Sequence, residues 1–418
     1  MSNRVYYVID MKSFFASVEC AERGLDAMKA KLVVADASRT EKTICLAVSP
    51  ALKAMGVKNR CRLFQIPKNI DFIIAKPRMK KYIEYAANIY AIYLKYIDKK
   101  DIHVYSIDEC IIDVTDYLKL YKTRAKPFAL KLINEINEKY HIPATCGIGS
   151  NMYLAKIALG ITAKKAKDRI GWLTEEKFKA ELWNHRPLSD FWGISRGIES
   201  HLARLGIYDM EGISKADPEM LYKEFGVNAE ILIDHSNGIE TVLMEDIKNY
   251  KNKSRSISTN QILPKGYSYK DALIVVKEMV VESCYNLERN GYVTTIIGLA
   301  IGYEGEDGYV HASSKISLAT NLYSFISKEV VKIFERIVDK NKLVRRIGIG
   351  FSGLLPLNKE QYDLFTDLSK VEKEKKLRDS IIMLKDKYGK NSVLKGMDFE
   401  ENATARERNK QIGGHNSE

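Results

Sequence analysis

The sequence predicts a multidomain α+β protein, and three observations carry that reading. Its 418 residues exceed what a single hydrophobic core usually organises. Short β-rich runs alternate with helix-period stretches through the first 180 residues. Residues 256–351 then spell a second, self-contained order, β-α-β-β-α-β. A hydrophobic content of 45% with nine prolines indicates folding along the whole chain apart from a polar tail. The formal charge of +12 favours a polyanionic partner such as nucleic acid. Six scattered cysteines with no CxxC pair argue against a zinc site or a disulfide framework and fit a reducing compartment. The N-terminus runs straight into a strand without a signal segment, and no apolar run reaches membrane-spanning length, so a cytoplasmic protein is expected.

The first strand sets the frame. Val5 to Ile9 is a short run of β-branched and aromatic residues, as in a strand buried on both faces. It ends in Asp10, and Ser13 is placed to cap a helix from Phe14 to about Arg23. Ile102 to Val114 reads as a hairpin with Asp108 and Glu109 at or near its turn. An acidic pair in a turn is often simply solvated. Here sheet-core residues flank it on both sides and would hold it level with the end of the first strand. Three converging carboxylates could bind two divalent ions about 3.5–4 Å apart, the arrangement used in phosphoryl transfer. Oxygen ligands without His or Cys suit Mg²⁺.

IDMKSFFASVE together with YSIDEC resembles the signature of the Y-family, lesion-bypass DNA polymerases, and most of all their bacterial UmuC-like branch. The resemblance extends over roughly the whole chain. It implies a right-hand polymerase fold: palm in residues 1–13 and 78–180, fingers in 14–77, and a helix-hairpin-helix thumb in 181–240. A basic linker would follow in 241–254, a little finger in 255–353 and a C-terminal tail in 354–418. The resemblance also implies Asp10, Asp108 and the Met11 carbonyl as ligands of two Mg²⁺ ions, with Glu109 as a further ligand and catalytic acid. Phe15 falls where the family keeps the ring that leaves no room for a ribose 2′-hydroxyl. Phe14 would lie beside it at the nucleotide, or simply in the core.

Further along, Lys31–Asp36 and Thr43–Val48 read as strands, and Ser49–Gly56 as a helix capped by Ser49 with Pro50 at its first position. The Tyr and Arg that touch the triphosphate in the family fall here on Pro50 and Lys53. Pro50 cannot donate that hydrogen bond, so the contact is either absent or replaced by Ser49, while Lys53 keeps the charge without the bidentate fork. The aromatic stripe of the 78–100 helix reads as core. Helix 127–140 and strand 144–148 precede a helix carrying Lys156. Lys164 is matched to a phosphate-facing family lysine, although its register along that helix is open.

Gly193-Ile194-Ser195-Arg196 resembles a helix-hairpin-helix turn whose amides hold a DNA phosphate, with a weaker second copy around Gly226; an ordinary helical hairpin is the alternative. Lys248 to Lys270 carries six basic residues, Lys253 and Arg255 among them, and no acid, which suits a DNA backbone track or a solvated face. The strands of 256–351 alternate between an apolar and a polar face, which would leave one side of that sheet free for phosphates. Gln361, Leu364 and Phe365 resemble the peptide by which bacterial polymerases dock into the sliding clamp, the alternative being a buried turn. Val371–Tyr388 reads as a charged helix, and the last thirty or so residues read as a flexible tail.

The function expected from all this is low-fidelity, template-directed DNA synthesis across damaged templates, without proofreading. Its partners would be primer-template DNA, deoxynucleoside triphosphates, the sliding clamp and accessory subunits of the SOS response. A metal-dependent nuclease and a non-catalytic DNA- or clamp-binding protein are the alternatives. The nuclease does not account for Phe15, Lys53 and the clamp-like peptide.

Overall fold

The structure, a computed structural model, describes residues 4–38, 40, 42–164, 166–252 and 255–418. The chain forms two compact units, residues 1–250 and 251–418. In the first, β1 (Tyr6–Met11) and α1 (Phe14–Ala21) lead into β2 (Leu32–Val34), β3 (Ala47–Val48), α2 (Pro50–Ala54) and β4 (Ile73–Ala75). Next come α3 (Met79–Leu94), β5 (Ile102–Val104), β6 (Glu109–Asp113), α4 (Thr115–Leu120), α5 (Ala125–Tyr140) and β7 (Ala144–Gly149). Then α6 (Met152–Ile157) runs directly into a π-helical turn (Ala158–Ala163), and β8 (Ile170–Leu173) follows. The helices α7 (Glu175–Leu182), α8 (Arg196–Arg204), α9 (Met210–Lys215), α10 (Pro218–Phe225), α11 (Asn228–Ser236) and α12 (Met244–Asn249) close the unit.

β1 is the middle of a sheet ordered β5-β6-β1-β7-β8, antiparallel to both neighbours. Its alternation divides the core. Tyr7 and Ile9 pack with side chains of α1, α3 and α5, while Tyr6 and Val8 pack with Met152, Ala155 and Leu159 beneath α6. Each fully buried side chain of this size contributes about 1.5–3 kcal/mol, so slipping β1 by one residue would forfeit both faces together. The close seat of α6 depends on glycine. A Cβ on Gly147 would lie 2.1 Å from the Ala155 carbonyl oxygen, and one on Gly149 would lie 2.2 Å from the Ala155 nitrogen.

Two local expectations give way. Ser13 does not cap α1: it sits in the left-handed region at φ 49°, makes no cap bond, and accepts a hydrogen bond from Lys53 Nζ at 2.9 Å. Nor is the stretch after residue 241 a free linker throughout. Its α12 docks through Met244 against the Tyr6–Val8 face, and Lys248 donates to the carbonyls of Lys99 and Ile102. Lys253 lies outside the described residues.

The second unit holds β9 (Ile257–Tyr267), α13 (Tyr269–Arg289), β10 (Tyr292–Tyr303), β11 (Val310–Thr320), α14 (Tyr323–Ile337) and β12 (Val344–Ser352). The sheet runs β11-β10-β12-β9, and its apolar face packs with α13 and α14. Two further helices, α15 (Leu368–Tyr388) and α16 (Ala405–Arg408), lie in the segment expected to form the tail. α15 covers the charged helix expected at Val371–Tyr388, whereas the last thirty or so residues, expected to be flexible, are folded. The buried carboxylate of Glu278 on α13 accepts hydrogen bonds from Thr404 N–H, Thr404 Oγ1 and Ala405 N–H, and Arg408 donates to Gln261 on β9. Removing the acceptor strands buried donors, so Glu278→Ala should destabilise this docking by about 2 kcal/mol. Faster proteolytic cleavage near residue 404 is the expected readout, and an unchanged cleavage pattern would count against the anchor.

Candidate active site

β1 and β6 bring the acids together by register. Asp10 pairs across the strands with Glu109, and the Met11 N–H donates to the Asp108 carbonyl at 3.0 Å. On its other side, Asp10 faces Thr145 of β7. Ser106 Oγ donates to Asp108 Oδ1 at 2.7 Å and so orients that carboxylate. Both oxygens of Glu109 accept from Lys156 Nζ, which also lies 4.6 Å over the Tyr105 ring. Tyr105 in turn accepts from Trp192 Nε1 at 3.2 Å, at the residue before Gly193.

Burial, reinforced by Asp108 and Glu109, pushes the Asp10 carboxyl up to about 7, against the opposing pull of Lys156 and Lys164. Burial also raises Glu109, with Lys156 opposing and Asp108 adding to the rise. Like charges crowded in this way call for a cation. Among the described residues, however, no three Asp, Glu, His or Cys side chains form a ready-made metal cluster. In this arrangement Glu109 is paired with Lys156, which supplies the countercharge, and Asp108 is tied to Ser106. The hard oxygen donors still fit a divalent cation such as Mg²⁺.

The expected nucleotide residues divide. Phe15 is half-buried and stacks on Tyr82 of α3, with centroids 4.4 Å apart and planes within 15°. Behind it, the fully buried Glu19 accepts from Tyr82, Arg78 and Arg23. Burial alone would raise Glu19, but hydrogen bonds from Arg78, Arg23 and Tyr82 outweigh it and hold the carboxyl below its usual range. The Phe15 ring thus rests on a braced support. Phe14, the first residue of α1, is core and only 3% exposed, so of its two expected places the structure takes the core and not the nucleotide. Ser49 is corrected as well. Its oxygen accepts from the Leu32 N–H and it makes no cap bond, and because it is completely buried its hydroxyl is not presented to a nucleotide in place of the missing Tyr.

Lys53 reaches Ser13. Burial lowers its pKa, Asp10 raises it, and Lys164 and Lys12 lower it further. Lys12, Lys53 and Lys164 therefore share one electrostatic neighbourhood at the acidic strand ends. Gly193 has φ 92° in an exposed turn, Ser195 caps α8 through the Ile198 N–H, and Arg196 is exposed beside it. In the second unit Arg255 lies 5.1 Å over the Tyr292 ring. Gln361 is pinned to Ala319 by its N–H and by its side-chain oxygen, whereas Leu364 and Phe365 are almost wholly exposed.

Sequence reasoning gave no role to Ser106, Tyr82, Glu19 or Lys12. Ser106 was findable, since a Ser two residues before an Asp in a turn is a common local hydrogen-bonding pattern. Tyr82 was hidden within an ordinary apolar stripe.

The chain matches the impB/mucB/samB family over residues 9–160 and that family's C-terminal domain over residues 254–364. It is 31% identical to UvrX of Bacillus subtilis (strain 168), a protein whose name associates it with UV-damage repair, over 98% of this chain and 97% of that one. It is 30% identical to DNA polymerase IV 2 of the same organism, over 99% of both chains. A solved Y-family DNA polymerase chimera of Dbh and Dpo4 shares the fold with a TM-score of 0.66, at 24% identity, over 84% of this chain and 99% of that chain. These relatives do not single out the UmuC-like branch. With both family segments matched and full-length relatives above 30% identity, the chain belongs to the impB/mucB/samB family of Y-family DNA polymerases.

Proposed function

We propose that this chain is a DNA-directed DNA polymerase that extends primers across damaged templates. The observation that carries the reading is the cross-strand pairing of Asp10 with Glu109, with Asp108 at the adjoining turn. Asp10, Asp108, Glu109 and the Met11 carbonyl are the residues that would hold two Mg²⁺ ions. When bound, such ions activate a primer 3′-hydroxyl and neutralise charge on the α-phosphate and the leaving pyrophosphate. The chain's own residues supply the rest. Lys53 and Lys164 bind the triphosphate, and Phe15, stacked on Tyr82, excludes a 2′-hydroxyl.

Gly193, Ser195 and Arg196 hold a DNA phosphate at an exposed turn and helix start, and Arg255 of the second unit makes its own contact to a DNA backbone. We assign palm, fingers, thumb and little finger to the boundaries given above, with α12 placed in the first unit. Gln361, Leu364 and Phe365 dock into a sliding clamp. Among the described residues no helix is long and apolar enough to cross a membrane, in keeping with work on chromosomal DNA in the cytoplasm.

Primer extension tests the reading, since a nuclease would shorten the primer and a binding protein would leave it unchanged. The sugar gate has its own test. Phe15→Ala removes a ring and opens space beside C2′, so discrimination against ribonucleotides should fall roughly 10- to 100-fold, as expected for a packing-based filter. Extension with ribonucleotides measures it, and unchanged discrimination would remove Phe15 from the role.

A further inference from the structure

Lys156 and Lys164 both act on the acidic cluster, the first on Glu109 by hydrogen bonds and the second on Asp10 through its charge. They are eight residues apart. In a regular α-helix, eight residues leave two side chains roughly 80° apart, while seven leave them within about 20°. The segment between them is not regular: Ala158–Ala163 is a π-turn of six residues. A π-turn accommodates one extra residue without displacing the helix beyond it, and such turns occur frequently at functional sites.

The surroundings hold this turn in place. Thr162 Oγ1 donates to the Ala158 carbonyl at 2.8 Å. Gly171 of β8 lies directly beneath, where a Cβ would come 2.2 Å from Thr162 Oγ1 and 2.4 Å from the Ala158 oxygen. Leu159 sits just as closely on Gly147, where a Cβ would lie 2.3 Å from its nitrogen. Gly160, by contrast, is half-buried, and a Cβ there would meet nothing within 4 Å. The side of the turn against the sheet is thus fixed, and the extra residue bulges away from it.

We propose that the π-turn Ala158–Ala163 is a one-residue insertion that sets helix register, turning Lys164 onto the same face as Lys156 so that it reaches the triphosphate of the incoming nucleotide. The proposal rests on the nucleotide-binding role of Lys164 given above. It makes an unusual demand: deleting a residue from a helix packed on the central sheet should leave nucleotide binding intact. Lys164 then stands seven residues from Lys156 in a regular helix and keeps its face.

The test compares wild type, Lys164→Ala and a Gly160 deletion in steady-state primer extension, reading KM for the incoming deoxynucleotide separately from kcat. Lys164→Ala should raise KM roughly tenfold, the value of one charge-assisted contact to phosphate. The deletion variant should stay within about twofold of wild type. A folded deletion variant with KM raised as far as in Lys164→Ala would overturn the proposal.

Labelling of the wild-type protein with an acyl-phosphate derivative of dATP, which acylates lysines beside the phosphates, decides the matter even if the deletion variant does not fold. Acylation of Lys164 and Lys53, with Lys167 unlabelled, is expected. Label on Lys53 with none on Lys164 would refute the register argument while leaving the nucleotide site standing. Label on neither lysine, with KM unchanged in Lys164→Ala, would sink the nucleotide-binding reading itself.

Discussion

Asp108→Ala should abolish primer extension while leaving the fold intact. Asp108 sits at the tip of the β5–β6 hairpin, where its side chain is held by Ser106 and its backbone carbonyl accepts from Met11. Removing the carboxylate costs the sheet little, because the Met11 contact is to the backbone and the strand register is set by β6. It does remove one of three acids crowded closely enough for Asp10 to be pushed up to about 7 by burial and by Asp108 and Glu109. Transition-state charge stabilisation by a bound metal is worth several kcal/mol, and about 1.4 kcal/mol is tenfold in rate. A loss on the order of 10³-fold follows, with the thermal midpoint unchanged or raised. Single-turnover extension together with a melting curve would show it. Extension within a few-fold of wild type would mean that Asp108 is not part of the reacting site.

Leu364→Ala combined with Phe365→Ala should abolish docking to a bacterial sliding clamp and leave clamp-free extension unchanged. These side chains are 99% and 94% exposed, and a folded chain seldom leaves two adjacent large apolar groups so bare without a partner for them. The residues leading into their loop are held from two directions. Gln361 bonds to Ala319, and Lys375 of α15 bonds to Glu360 and Tyr362. Asp363 fixes the turn itself, accepting from the Phe365 N–H and the Thr366 hydroxyl. A peptide already ordered in this way loses less entropy on binding. Central apolar anchors are commonly worth about 2 kcal/mol or more each, so the double variant should bind a clamp at least roughly 100-fold more weakly. Titration calorimetry against a purified clamp measures this, and equal affinity for the two proteins would exclude the peptide.

Much of the architecture was readable because its determinants are local. β1 shows in five consecutive apolar residues, the acidic hairpin in two short β-rich runs, and the second unit in its order of strands and helices. What escaped was set by distant partners. The left-handed Ser13 is held by Lys53, forty residues on, so no local cap rule could find it. Ser49 looks like a helix cap in sequence but spends its hydroxyl on Leu32. The tail is polar, as flexible tails are, yet its anchors Glu278 and Gln261 lie more than a hundred residues upstream. Tyr82 carries the same helical periodicity as Ile89 and Tyr93, and only the packing of α3 against α1 distinguishes the support of the Phe15 ring from plain core. The irregular turn before Lys164 was unreadable because a π-turn leaves no reliable mark in composition.

One measurement tests the central claim most directly: extension of a labelled primer by the wild-type protein with Mg²⁺ and all four deoxynucleotides, on an intact template and on one carrying an abasic site. The account predicts products lengthened on both templates and extending past the abasic position. Primer shortening, or no extension on the intact template even with a sliding clamp loaded, would contradict it.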